Sequence, residues 1–168
     1  MTASTNPTPS HEHEPTILTV RVFDAPRALV WKVWTDPAHM AQWWGPKGFT
    51  NPVCKMDVRP GGLWHATMRS PDGTFDCPNV FMFDEVVPPE RLVFRDVTDY
   101  SKGWEKHTEI PHKAVHTVTF DELDGKTTMR IVTRLTSIKE RDEMVKMGFN
   151  EGMGESLDRL AALVVRLS

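Results

Sequence analysis

Up to residue 135 the chain alternates apolar and polar residues in short runs, and from residue 139 the spacing lengthens to three and four. The first pattern suits strands, which turn successive side chains to opposite faces; the second suits a helix with one apolar stripe. Residues 17–23 predict a strand in which Val20 and Val22 alternate with Thr19 and Arg21. Asp24-Ala25-Pro26 reads as a helix start, with Asp24 as N-cap, and Val30, Val33 and Trp34 form the apolar stripe that follows. Thr35-Asp36-Pro37 breaks this helix and opens a second one to about Trp43, which Gly45-Pro46-Lys47-Gly48 ends.

Six strands are predicted next, over residues 49–58, 63–69, 74–86, 91–97, 114–121 and 127–135, each bounded by turn residues. The third is expected to be interrupted at Pro78, and residues 99–112 read as a polar loop. Asp124-Gly125 is a strong hairpin signal. The final segment, residues 139–167, predicts one long helix, about 40 Å if unbroken. Met153, Leu157, Leu160, Val164 and Leu167 form its apolar face, and Asp142 and Glu143 stand near its start. Gly148, Gly152 and Gly154 interrupt its middle, each costing about 1 kcal/mol relative to alanine, and predict a kink, a frayed segment or a close approach to something bulky there. Short connections favour an antiparallel meander, and the terminal helix is the one element large enough to cover its apolar face.

Composition narrows the reading. With 168 residues, 39% hydrophobic and 26% charged, the chain suits a single soluble domain over residues 16–168, preceded by a disordered tail over residues 1–15. A net charge of -3 without a basic block argues against nucleic acid as a partner. No stretch approaches the roughly 20 apolar residues of a membrane span, so membrane insertion is not expected. The amino terminus has no signal-peptide core, and Cys54 and Cys77 read as free thiols, which together point to the cytoplasm. Six Trp, eight Phe and nine Met stand against one Tyr. Methionine repacks easily around varied shapes, so this balance suits either an ordinary bulky core or a plastic ligand lining.

Several local motifs recur in one order: Trp34-Thr35-Asp36-Pro37, Trp43-Trp44-Gly45-Pro46, Arg59-Pro60-Gly61-Gly62-Leu63-Trp64, Pro71-Asp72-Gly73, Pro88-Pro89-Glu90-Arg91-Leu92 and Gly148-Phe149-Asn150-Glu151-Gly152-Met153. In this order they resemble the SRPBCC superfamily, also called START-like or birch-pollen-allergen-like, and within it the branch of the activator of heat-shock-protein-90 ATPase homologues. The resemblance implies an α+β helix-grip fold: a curved antiparallel sheet of six to seven strands wrapped around a long C-terminal helix, with two short helices after the first strand. It also implies an internal cavity. Phe81 stands where similar sequences often carry glycine, which implies a narrowed cavity or an altered bend of the sheet.

Alternation then assigns faces. Trp64, Ala66 and Met68 share the face expected to line the cavity, and His65, Thr67 and Arg69 the opposite one. Phe81 with Phe83, Phe94 with Leu92, and His116 with Val118 extend the lining along later strands. The terminal helix is expected to add Met144, Met147, Phe149 and Met153 as a roof, with Trp44 and Phe49 near the mouth. His116 is the inward polar candidate, read either as a core histidine with a satisfied hydrogen bond or as a general base. His11, His13, His65, His107 and His112 are not expected to form a metal site, and no cofactor or nucleophilic motif is found.

Two function classes remain open at this point. One is a module that binds a small apolar or amphipathic molecule as carrier, sensor or scavenger. The other is a cyclase- or hydrolase-type enzyme that uses the same cavity with His116 as base. A chaperone ATPase co-activator is suggested by the family name alone, and a homodimer is compatible with the sequence.

Overall fold

The structure, a computed structural model, describes residues 14–97 and 114–168. The expected polar loop, most of the expected tail, and His11, His13, His107 and His112 lie outside the described residues. Strand β1 (Thr16–Phe23) leads into α1 (Arg27–Thr35) and α2 (Pro37–Trp43). A meander follows: β2 (Thr50–Met56), β3 (Leu63–Arg69), β4 (Asp76–Val87), β5 (Arg91–Asp96), β6 (Val115–Leu123) and β7 (Lys126–Arg134). Helices α3 (Ile138–Lys146) and α4 (Phe149–Leu167) complete the domain. The seven strands form one antiparallel sheet in the order β1-β7-β6-β5-β4-β3-β2.

Capping chemistry sets the helix starts. Asp36 accepts from the Ala38 amide at 2.9 Å and Pro37 occupies the first turn, so α2 begins where the sequence places it. For α1 the expected cap is corrected. Pro26, not Asp24, holds the N-cap position, and the Arg27 amide donates to Glu122 of β6 at 2.7 Å. A carboxylate distant in sequence thus satisfies an orphan helix donor that no local side chain reaches. Ser137 caps α3 through the Glu140 amide at 3.1 Å, and Glu140 reaches back to the Thr136 amide, also at 3.1 Å.

The long C-terminal helix is α4, and the interruption expected at the glycines is a break between it and α3 at Met147-Gly148, where Gly148 takes φ +96°. That left-handed conformation suits glycine and ends the ladder of α3. Gly152 and Gly154 stay within α4. Pro78 does not interrupt β4: it pairs with Thr67 of β3, and pairing with β5 begins at Phe81, so among the described residues no ladder bond is required of its missing N–H on that side. The β6–β7 turn places Asp124 at φ 53° and Gly125 at φ 75°, the twin positive angles of a tight hairpin.

The core fills the side of the sheet that faces the helices. Trp34, Trp43, Trp64, Phe83, Phe94 and Phe120 are fully buried or nearly so. Trp43 donates its indole N–H to the Val33 carbonyl at 2.8 Å, which satisfies its polar atom within the core. Helix α4 contributes Leu157, Leu160, Leu163 and Val164 from one face, while Leu167 is exposed. On β1 the alternation runs opposite to simple hydrophobicity. Leu18, Val20 and Val22 face outward, and Arg21 turns toward α4, where it meets Asp158 at 2.7 Å and the Gly154 carbonyl at 3.3 Å.

Candidate functional site

Two apolar cavities adjoin beneath the junction of α3 and α4. The outer one has a volume of about 310 Å³ and lies between the turn after α2 (Trp44, Gly45, Pro46) and the helix junction (Met147, Gly148, Gly152). The inner one, about 220 Å³, reaches into the sheet past Phe81 of β4, Phe94 of β5, His116 of β6 and Ile131 of β7. Trp44, Met68, Met144, Phe149 and Met153 line both, so these five side chains divide the two spaces. Three of the five dividing groups are unbranched thioethers, whose low torsional barriers allow the partition to rearrange.

Most of the anticipated lining residues meet here. Trp44, Met68, Met144, Phe149 and Met153 border both cavities; Met147 borders the outer one; Phe81, Phe94 and His116 border the inner one. Four others are placed elsewhere. Trp64, Phe83 and Val118 point inward as their strand phase requires but are buried in solid core. Trp64 packs against Trp44 at 4.7 Å and Phe81 at 4.6 Å, with Phe83 stacked on it at 6.3 Å. Phe49 is half-buried beside Gly45 and borders neither cavity. His65 is exposed on the outer face.

Cys77, Asn79 and Asp96 join the inner wall without having been anticipated. Their phase was available: Cys77 and Asn79 precede Phe81 at period two, and Asp96 follows Phe94. The expected break at Pro78 concealed the first pair. Trp34 enters from α1 and Ser156 from α4, three residues beyond Met153 on the same helix face.

The turn that carries Trp44 is held from three sides. Ser156 Oγ accepts from the Gly45 amide at 2.9 Å and donates to the Trp43 carbonyl at 3.1 Å. Asn51 donates to the Trp44 carbonyl at 2.7 Å. Arg159 donates to the carbonyls of Trp44, Gly45 and Pro46 at 3.2, 2.9 and 3.1 Å, and to that of Gln42 at 3.1 Å. A guanidinium at the C-terminal end of α2 answers both its orphan carbonyls and the negative end of its dipole.

His116 is the polar centre of the inner wall. Its Nδ1 lies 2.9 Å from Thr133 Oγ1, and its ring stacks on Phe94 at 4.9 Å and 29°. Surrounding protein disfavours the charged ring and pulls its pKa down to about 4. Burial likewise raises the Cys77 thiol, and pushes Cys54, beside the Trp64 indole, up to about 11. Neither thiol is therefore ionised enough to act as a nucleophile at neutral pH. Among the described residues no three His, Cys, Asp or Glu side chains converge as a metal site, and no lysine or arginine borders either cavity. No described helix is long and apolar enough to cross a membrane.

Comparison with known proteins agrees with this fold. No curated protein matches the chain. A solution structure of a protein from Arthrobacter aurescens is similar at 26% identity and TM-score 0.80, over 92% of this chain and 88% of that one. A crystal structure of a protein from Nitrosomonas europaea shares the fold at 23% identity and TM-score 0.79, over 92% and 96% of the two chains. The AHSA1-like protein from Aeromonas hydrophila shares it at 17% identity and TM-score 0.70, over 88% and 93%. The family model described as Activator of Hsp90 ATPase homolog 1-like protein matches residues 24–165. With the sheet order, the paired short helices and the covering terminal helix all in place, the chain belongs to the AHSA1-like family of the SRPBCC superfamily.

Proposed function

We propose that the protein binds a small hydrophobic or amphipathic molecule in the paired cavities, as a carrier, sensor or scavenger. One observation carries this reading: two adjoining apolar spaces of about 310 and 220 Å³ share a methionine-rich partition beneath a helix junction. Spaces of this size and lining suit small-molecule ligands, and a well-packed core has no other use for them. The half-buried thiols fit a reducing, cytoplasmic setting. Titration with a neutral apolar fluorophore such as Nile red tests the proposal. Saturable uptake at one site, reduced at least tenfold by the space-filling Met153→Trp, is expected. Uptake that rises linearly without saturation and ignores Met153→Trp would count against it.

An enzymatic reading with His116 as base has one observation in its favour, since the ring borders the inner cavity and has Thr133 as a polar partner. Its depressed pKa argues the other way. General bases work best with pKa values near the operating pH, and a ring titrating at about 4 is a poor proton acceptor at neutrality. The same features suit a neutral hydrogen-bonding group that orients a bound molecule.

A further inference from the structure

The polar groups around the inner cavity are unlike one another in one respect that bears on what the cavity accepts. Two indole donors there lack partners, and none of the described residues in the wall carries a positive charge. The indole N–H groups of Trp34 and Trp44 are both buried, and neither finds an acceptor among the described residues. Both side chains border the inner cavity. In the same core Trp43 has its acceptor, the Val33 carbonyl, and the buried Trp64 indole, which borders neither cavity, has only the Cys54 thiol beside it. A buried donor left without a partner is costly, and such groups in folded proteins call for an acceptor from elsewhere.

We propose that the inner cavity receives the uncharged, oxygen-bearing end of an amphipathic molecule, a ketone or ester carbonyl that accepts from the Trp44 and Trp34 indoles. This rests on the cavities being a ligand site and adds the chemistry of the ligand's buried end. Charge decides against the alternatives. A carboxylate or phosphate would need a cation, and none of the described residues bordering the cavity supplies one. Asp96, the carboxylate among the described wall residues, would repel an anion. His116 gives no cationic help, because burial keeps its ring neutral. An ammonium group would face two indole donors, and Asp96 already has an interaction within the chain. A neutral carbonyl needs no counter-charge and relieves the orphan donors, while its hydrocarbon extends past the methionine partition into the outer cavity.

Displacement of N-phenyl-1-naphthylamine, a neutral reporter, by three compounds of equal chain length tests the idea at pH 7.5: 2-decanone, decanoate and decylamine. The ketone is expected to displace the reporter at concentrations at least tenfold below those of either ion. Trp44→Phe, which keeps a ring but removes the N–H, should weaken the ketone about threefold to tenfold, the worth of one hydrogen bond. Decanoate or decylamine matching the ketone in the wild-type protein would overturn the head-group assignment while leaving the cavity reading intact. An unchanged ketone affinity in a folded Trp44→Phe would overturn the indole's role. If the reporter itself shows no saturable binding, the cavity reading fails and takes this inference with it.

Discussion

Arg159 Nη1 lies 2.9 Å from the main-chain oxygen of Gly45, across 114 positions of sequence. The contact ties the face of α4 to the turn that presents Trp44, and the same guanidinium reaches three further carbonyls. Burial lowers its pKa from the usual guanidinium value, but arginine remains charged at any working pH. Arg159→Lys keeps a charge and loses the planar fork. Hydrogen bonds to charged groups contribute about 1.5–3 kcal/mol, so a loss of about 2 kcal/mol is expected in chemical denaturation. Weaker fluorophore uptake should accompany it, because Trp44 borders both cavities. A stability equal to the parent's would mean that the four contacts contribute nothing net.

Trp64→Ala addresses the solid part of the core. The side chain is fully buried against Trp44, Phe81 and Phe94. Truncating such an aromatic costs about 3–5 kcal/mol, a large share of the roughly 5–15 kcal/mol that holds a domain together. A fall in melting temperature of about 6–20 degrees, or failure to fold, is the expected outcome. A melt within two degrees of the parent would contradict the packing described.

Gly148 and Gly152 should respond to alanine with opposite signs. Gly148 holds φ +96°, where an L-residue is strained, so Gly148→Ala is expected to cost about 1–2 kcal/mol. Gly152 has ordinary helical backbone, and an added Cβ would meet Pro46 Cγ at 3.7 Å, a normal contact. Gly152→Ala should therefore gain up to about 1 kcal/mol while adding a methyl group to the outer cavity wall. Thermal melts of the two single variants check both signs at once. Equal shifts would show that the junction at Gly148 is not set by its backbone.

His116 makes stability depend on pH in a known direction. Its pKa is about 4 in the folded chain and near 6.5 when unfolded. Between these values the unfolded state binds the extra proton, so acid favours unfolding and stability rises with pH. The contribution is fully present above about pH 6.5 and is lost as pH falls through 4; it amounts to at most about 3 kcal/mol. His116→Gln should flatten the stability profile between pH 4 and 6.5 relative to the parent. Parallel profiles for the two proteins would rule out the depressed pKa.

The strand faces were legible because a period of two leaves little choice. Trp64, Ala66 and Met68 share a side whichever way the sheet curves. Two things that alternation does not encode came from tertiary structure. One is which side is inner. On β1 the outward Leu18, Val20 and Val22 are more apolar than the inward Arg21, because Arg21 finds Asp158 and the Gly154 carbonyl on α4. The other is what stands opposite an inward side chain. Trp64 and Met68 have the same phase, yet Trp64 meets other aromatic rings and Met68 meets open space. The helices decide that difference, and the bend at Gly148 that aims them follows from a dihedral angle, not from a hydrophobic pattern.

The pairing of β1 with β7 has a consequence for how the chain reaches this state. Every other neighbouring pair in the sheet is consecutive in sequence, and β6 and β7 close across a turn of two residues. Strand β1 must instead find its partner from the far end of the meander, Ile17 against Thr133 and Phe23 against Thr127. Loop-closure entropy is spent on that search before any contact rewards it. The hairpins are therefore the natural early structure, and docking of β1 a late event on the folding route. Substitutions in β1 should then show φ-values near zero, speeding unfolding and leaving the folding rate almost unchanged.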